Sequence, residues 1–141
     1  MADVNDMMAA YAEDAVDYAA KLKKQLDYSE ESIATLEQVC DILHKAIPKT
    51  LFARFFMLKR KPSNETILQY SKVLGGYLGE VIKRNHGGEW SIEDFMNQGN
   101  TIVLTVGDTK IFPVGRVYKR LKEGSENNLQ HYYSVLLSTI K

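Results

Sequence analysis

The chain has 141 residues, of which 45% are hydrophobic and 26% charged, and its 18 basic and 18 acidic residues give no net charge at pH 7. This length and composition predict one folded domain over residues 1–141 and argue against wholesale disorder. The balanced charge argues against general nucleic-acid binding, because that affinity depends on an excess of cations.

The first elements in the chain are two amphipathic helices. Apolar residues recur at three- and four-residue steps from Val4 to Leu26, which predicts one helix with a buried face. A second helix is predicted from Glu30 to Ala46, with capping oxygens in the segment Asp27 to Ser29. We expect this helix to stop before Pro48, because proline disfavours the helical conformation in the residue before it.

Two further helices are predicted before the sheet. The segment Lys49 to Leu58 suits a short amphipathic helix, and Ser63 or Asn64 can cap a longer helix that ends near His86. Glycines inside that longer helix are expected to let a neighbouring element approach closely, in preference to contacting a ligand. They are Gly75, Gly76 and Gly79.

The period of the apolar pattern changes after His86. Trp90 and Ile92 alternate with polar residues, and in the run 101–106 every second residue is a large apolar one. Both patterns predict strands with one buried face. Gly107 and Asp108 separate this run from 109–112 and suit a tight hairpin turn. The sequence therefore predicts a small antiparallel sheet of about three strands.

Two helices close the chain. Pro113 is suited to open a helix that runs through Leu121 and ends at Gly124, and a last helix is predicted from Leu129 to Ile140. The predicted fold class is α+β, with three to four helices in the N-terminal half, the small sheet, and two C-terminal helices.

The sequence carries no signal for export or for a membrane. Cys40 is the only cysteine, so an internal disulfide is excluded. Acidic residues occupy the N-terminus where a secretory leader needs a basic start, and no apolar run is long enough to span a bilayer. We therefore expect a cytoplasmic protein without a membrane span.

No residue set commits the chain to a reaction or a cofactor. Cys40 and His44 share a helix face and supply half of a metal site, but a buried cysteine in a core stripe is the favoured interpretation. His86, followed by two glycines, is typical of a helix end. We therefore predict no catalytic, cofactor-binding or metal-binding residues and no cofactor.

Two surfaces are candidates for binding a partner. The aromatic-basic segment, between Lys49 and Pro62, combines aromatic anchors with cations, and its residues are Phe52, Phe55, Phe56, Lys59, Arg60 and Lys61. The basic face lies on the helix after Pro113 and consists of Arg116, Lys119, Arg120 and Lys122. For both, the favoured interpretation is structural: core phenylalanines in the first, and solvated cations in each.

The C-terminal half resembles a known family. The resemblance rests on a helix with Tyr77-Leu78-Gly79-Glu80, a strand that starts at Gly87-Gly88-Glu89-Trp90, and Phe112-Pro113 followed by a helix with Arg116-Val117-Tyr118-Lys119-Arg120. These motifs are similar to those of a family of small bacterial domains of unknown function. The resemblance implies a bacterial α+β fold and brings no activity with it.

The sequence is compatible with three functions. The first is a non-enzymatic protein-binding module, such as an immunity or adaptor protein, and we expect a protein partner. The second is a small-molecule-binding or enzymatic domain with a pocket near Tyr77, Glu80, His86 and Trp90. The third is a structural subunit of a homo-oligomer, suggested by the many apolar helix faces.

Overall fold

The structure, a computed structural model, describes residues 3–57, 64–94 and 99–140, with the backbone alone for 47–57 and 64. These residues form five helices, a short 3-10 turn and a three-stranded antiparallel sheet, which confirms the predicted α+β class. The elements are α1 (Val4–Lys21), α2 (Ser32–Met57), α3 (Asn64–His86), β1 (Glu89–Asp94), β2 (Asn100–Val106), β3 (Thr109–Ile111), α4 (Pro113–Glu123), the turn Ser125–Asn127 and α5 (Leu129–Thr139). None of the described helices combines the length and the apolar character needed to cross a bilayer.

The first helix ends earlier than the apolar pattern predicts. α1 ends at Lys21 instead of continuing to Leu26, because Lys23 adopts a left-handed conformation with φ of 62°. The Lys24 amide then donates to the Ala19 carbonyl at 2.9 Å, which is the hydrogen bond of a Schellman motif. Glycine usually occupies the left-handed position, so a lysine there gives no signal in the sequence.

The prediction that the second helix ends before Pro48 is wrong. α2 continues to Met57 and includes the segment that was predicted to form a separate helix from Lys49. A proline inside a helix removes one backbone donor and disfavours its predecessor's helical conformation, but it does not forbid a continuous helix. At the other end, the Ser29 hydroxyl accepts a hydrogen bond from the Ser32 amide at 3.1 Å, so the predicted capping segment does supply an oxygen.

α3 is the central helix, and its glycines set how closely its neighbours approach. A Cβ atom at Gly75 would lie 2.6 Å from the backbone of α4, and one at Gly76 would lie 2.9 Å from a side-chain carbon of α1. A Cβ at Gly79 would lie 2.1 Å from the Trp90 ring. The predicted packing role of these glycines is therefore confirmed.

The sheet has the strand order β1-β2-β3, and one face packs into the core. Trp90 lies opposite Leu104, which in turn lies opposite Ile111, and all three side chains are buried. Because side chains alternate along a strand, these residues share the core-facing side. Trp90 therefore anchors the sheet to α3.

The outer face of the sheet also contains a buried residue. Val103 is fully buried, although the alternation pattern places it on the face opposite Leu104. Glu93 and Lys110 share that face from the two outer strands, and their ion pair of 2.6 Å crosses β2 on the side where Val103 lies. Aliphatic stems of charged side chains can cover an apolar neighbour in this way.

Candidate functional site

The aromatic-basic segment lies outside the side chains that the structure describes. Phe52, Phe55 and Phe56 belong to the C-terminal part of α2, for which only the backbone is described, and 58–63 lies between the described ranges. This candidate surface, including Lys59, Arg60 and Lys61, therefore stays a prediction.

The predicted basic face is divided between the surface and the core. Lys119 and Lys122 are exposed, and the Arg116 guanidinium lies 4.5 Å above the ring centre of Tyr132. Arg120 has no exposed surface, so the expectation that it belongs to a solvated face is wrong. It lies on the buried stripe of α4, three residues after Val117.

Arg120 joins α2 to α4 through carboxylates. Its Nε donates to the two Glu37 oxygens at 3.1 and 2.9 Å, and its Nη2 lies 2.9 Å from an Asp41 oxygen. The Leu129 amide also donates to Glu37, at 2.9 Å, so α5 is attached to the same carboxylate. The second terminal nitrogen, Nη1, is buried without a partner. This cluster holds three helices together in the core.

Cys40 and His44 lie on α2, in the part of the core around Arg120. Cys40 is fully buried, and burial, followed by the nearby Glu37 charge, raises the pKa of its thiol. The His44 Nδ1 donates to the Leu121 carbonyl at 2.6 Å, which directs this ring nitrogen away from metal coordination. Across the residues that the structure describes, no three side chains of the metal-binding types meet at one point.

Tyr77 belongs to a hydrogen-bonded chain that fixes the loop between α1 and α2. The Tyr28 amide donates to the Tyr77 hydroxyl at 2.8 Å, and that hydroxyl lies 2.6 Å from the Ser32 hydroxyl. The Ser32 hydroxyl itself donates to the Ser29 carbonyl at 2.6 Å, so Tyr77 is the donor to Ser32. Tyr28 has a φ of 66°, a conformation rare for an aromatic residue, and these hydrogen bonds stabilise that conformation.

The four residues proposed for a small-molecule pocket do not converge. The Trp90 indole donates to Glu80 at 2.9 Å in the core, while Tyr77 contacts the α1–α2 loop. His86 lies elsewhere, 2.8 Å from a Glu30 oxygen that also accepts a hydrogen bond from the Tyr133 hydroxyl. Each polar group is thus occupied by an internal partner.

A different surface is open, and it surrounds Gly115 near the start of α4. Three adjoining depressions of about 390, 470 and 380 Å³ all include Gly115 in their lining. We call this surface the Gly115 groove and define it by residues from α3, β1, and the start of α4, which are Leu68, Ile92, Phe112, Val114 and Gly115. Leu68 and Ile92 keep 39% and 50% of their surface exposed.

The glycine at the floor of the groove has no internal reason to be glycine. Its φ is not in the left-handed region, and a Cβ added at Gly115 would meet only the Phe112 side chain, at 3.9 Å. Gly75, by contrast, has the α4 backbone 2.6 Å from the position of a Cβ. Gly115 therefore leaves space on the outside of the molecule.

Three cations without an ion-pair partner among the described residues lie around the groove. Lys72 lines one depression, and Arg116 and Lys119 line another. Among the described residues, none of these three forms an ion pair or a side-chain hydrogen bond. Lys110, at the same end, is already paired with Glu93. The groove thus combines an apolar floor with a positive rim.

The sequence indicates a surface position for Arg116 and Lys119 but does not indicate the groove. Its lining comes from residues that are distant along the chain, so no local motif marks it. The one local signal is Gly115 in the first turn of a predicted helix, where a glycine serves no capping role.

No family model, no curated protein and no solved structure matches this chain. The resemblance of the C-terminal half to a family of small bacterial domains therefore stays a prediction.

Proposed function

We propose that this chain is a non-enzymatic protein-binding module that holds a segment of a partner protein in the Gly115 groove. The observation that carries the proposal is the exposed Gly115, which lines a depression together with Leu68 and Ile92, in a helix that does not need a glycine there. Exposed apolar contacts around an open floor are typical of a groove that receives a partner's side chain.

The state of the reactive groups supports a binding role over catalysis. A nucleophile or general base needs access to a substrate. In the described part of the chain, the Cys40 thiol is buried, the Ser32 hydroxyl donates to a backbone carbonyl, and the Glu80 carboxylate accepts from Trp90. These groups stabilise the fold, which favours the exposed groove over them as a place for function.

The proposal covers the class of protein and its location. A small module that binds through one groove fits an immunity or adaptor protein, which acts by covering or joining partner surfaces. A cytoplasmic location is part of the proposal and is supported by the free Cys40, since free thiols are usual in reducing compartments. The aromatic-basic segment is a second candidate surface for the same function.

The test compares partner capture by three tagged proteins from a lysate of the source organism. Gly115→Trp fills the groove, and Val135→Trp adds the same side chain at an exposed position on α5, where Val135 keeps 51% of its surface open. We expect one protein to be retained by the wild type and by Val135→Trp, and to be lost with Gly115→Trp. Equal retention by all three, or none by the wild type, contradicts the proposal.

A further inference from the structure

The charges around the Gly115 groove indicate what kind of segment it receives. Lys72 extends from α3 and lines the depression with the apolar floor, and Arg116 and Lys119 extend from α4 and line the depression that adjoins it at Gly115. Among the described residues that line the three depressions, Glu65 is the one acidic residue, and it lies beside Leu68 and Tyr118, in a depression that none of these cations lines. A bound segment therefore meets a mostly positive rim.

Arg116 is held in a position to bind a carboxylate. Its guanidinium carbon lies 4.5 Å from the centre of the Tyr132 ring, and this cation–π contact restricts the side chain. Among the described residues, no side chain accepts a hydrogen bond from its N–H groups, so they are open to an acceptor on a bound segment. A carboxylate can accept two of these N–H groups at once.

The start of α4 adds to the positive potential at the groove. α4 begins at Pro113, and Phe112 provides no side-chain cap. The amides of Val114 and Gly115 therefore have no acceptor within the helix, and the helix dipole places partial positive charge at this end. The effect is small by itself, but it has the same sign as the charges of Arg116 and Lys119.

We propose that the segment bound in the Gly115 groove is an acidic amphipathic helix of a partner protein. Its apolar side chains cover Leu68, Ile92 and Gly115, and its carboxylates face Lys72, Arg116 and Lys119. This inference rests on the proposed function and specifies the chemistry of the partner. A nucleic acid would meet the same cations, but its phosphate backbone has no apolar group to cover Leu68 and Ile92.

The test uses a displayed library of amphipathic helical peptides that share one apolar stripe. The flanking positions are all Glu, all Gln or all Lys, and enrichment on the purified protein is measured for the three classes. We expect the Glu-flanked class to be enriched at least tenfold over the Lys-flanked class, and the enrichment to decrease with rising salt, because exposed charges are screened. Gly115→Trp should abolish it.

Charge reversal provides the matched control. The double variant Arg116→Glu with Lys119→Glu should reverse the preference toward Lys-flanked peptides. Lys21→Glu with Lys23→Glu changes the net charge by the same amount at exposed residues at and just beyond the end of α1 and should leave the preference unchanged.

The outcomes separate the inference from the proposed function. If Gln-flanked and Glu-flanked peptides bind equally and Gly115→Trp removes both, the acidic partner is overturned and the groove remains a binding site. If the binding is insensitive to Gly115→Trp, the groove itself is the wrong site. If no class is enriched, the inference fails, and the capture experiment alone decides on the proposed function.

Discussion

Arg120 on α4 and Glu37 on α2 form a buried ion pair in which the guanidinium Nε donates to both carboxylate oxygens, at 3.1 and 2.9 Å. Removing one partner leaves the other charge buried and unpaired, which typically costs about 3–5 kcal/mol. We therefore expect Arg120→Met to lower the free energy of unfolding by about that amount, as measured by urea denaturation.

The control for this prediction is a surface ion pair that involves Asp41, a carboxylate that Arg120 also contacts. Lys45 pairs with Asp41 at 2.8 Å but keeps 72% of its side chain exposed, so Lys45→Met should cost no more than about 1 kcal/mol. Adding Glu37→Leu to Arg120→Met should recover part of the loss, because it removes the unpaired charge. Equal effects of Arg120→Met and Lys45→Met would show that the buried pair does not hold the helices together.

The two glycines Gly79 and Gly115 should respond oppositely to the same substitution. Gly79→Ala places a methyl group 2.1 Å from the Trp90 ring, so we expect a loss of about 1–3 kcal/mol from overpacking. Gly115→Ala meets nothing closer than 3.9 Å and should instead gain about 0.4–1 kcal/mol. Thermal unfolding of both variants measures the difference. A destabilised Gly115→Ala would mean that the glycine has an internal role and would remove the main support for the groove.

The helix ends show where local sequence rules stop being sufficient. The end of α3 at His86 follows from the glycines after it, which take positive φ values of 85° and 134°. The end of α1 does not follow from any such rule, because Lys23 takes the left-handed position and Tyr77 fixes the loop beyond it through the Tyr28 amide. That contact joins residues 49 positions apart, so a window along the chain does not contain it.

The prediction for Arg120 depended on its charge, although its spacing along α4 indicates the opposite. Its spacing of three from Val117 and one from Leu121 places it on the buried face, whereas its charge suggested a solvated position. The spacing was the better guide, because the buried Glu37 on α2 supplies the opposite charge to the buried Arg120. The Gly115 groove was beyond prediction, since its form depends on how α3, β1 and α4 are packed together.

Stability in acid should depend on Glu30. The hydrogen bond from the Tyr133 hydroxyl, followed by that from His86, lowers the pKa of the Glu30 carboxyl below its ordinary value of 4.5. Because the folded-state pKa is lower than the unfolded one, the contribution is present at neutral pH and is lost as the pH falls through the folded-state value. We expect the urea midpoint of the wild type to fall more steeply than that of Glu30→Gln between about pH 6 and about pH 3.

The comparison with Glu30→Gln is needed because other carboxyls contribute to the same acid loss. Their pKa values are also lowered by hydrogen bonds, and they are Asp27, Asp41 and Glu93. These groups are present in both proteins, so only the difference between the two curves reports on Glu30. Parallel curves would mean that the contact among Glu30, His86 and Tyr133 does not persist in solution.

Cys40 provides a direct measure of how tightly the core around Arg120 is closed. Its side chain is fully buried, and burial followed by the Glu37 charge raises the pKa of the thiol, so the reactive thiolate is scarce at neutral pH. Since it is the only cysteine, alkylation of the whole protein by iodoacetamide reports on this position alone. We expect almost no modification of the native protein by mass spectrometry and complete modification in urea.

Arg120→Met should raise the rate at which Cys40 is alkylated in the native protein, because it loosens the packing between α2 and α4, whereas Lys45→Met should not. Rapid alkylation of the native wild type would contradict the closed core.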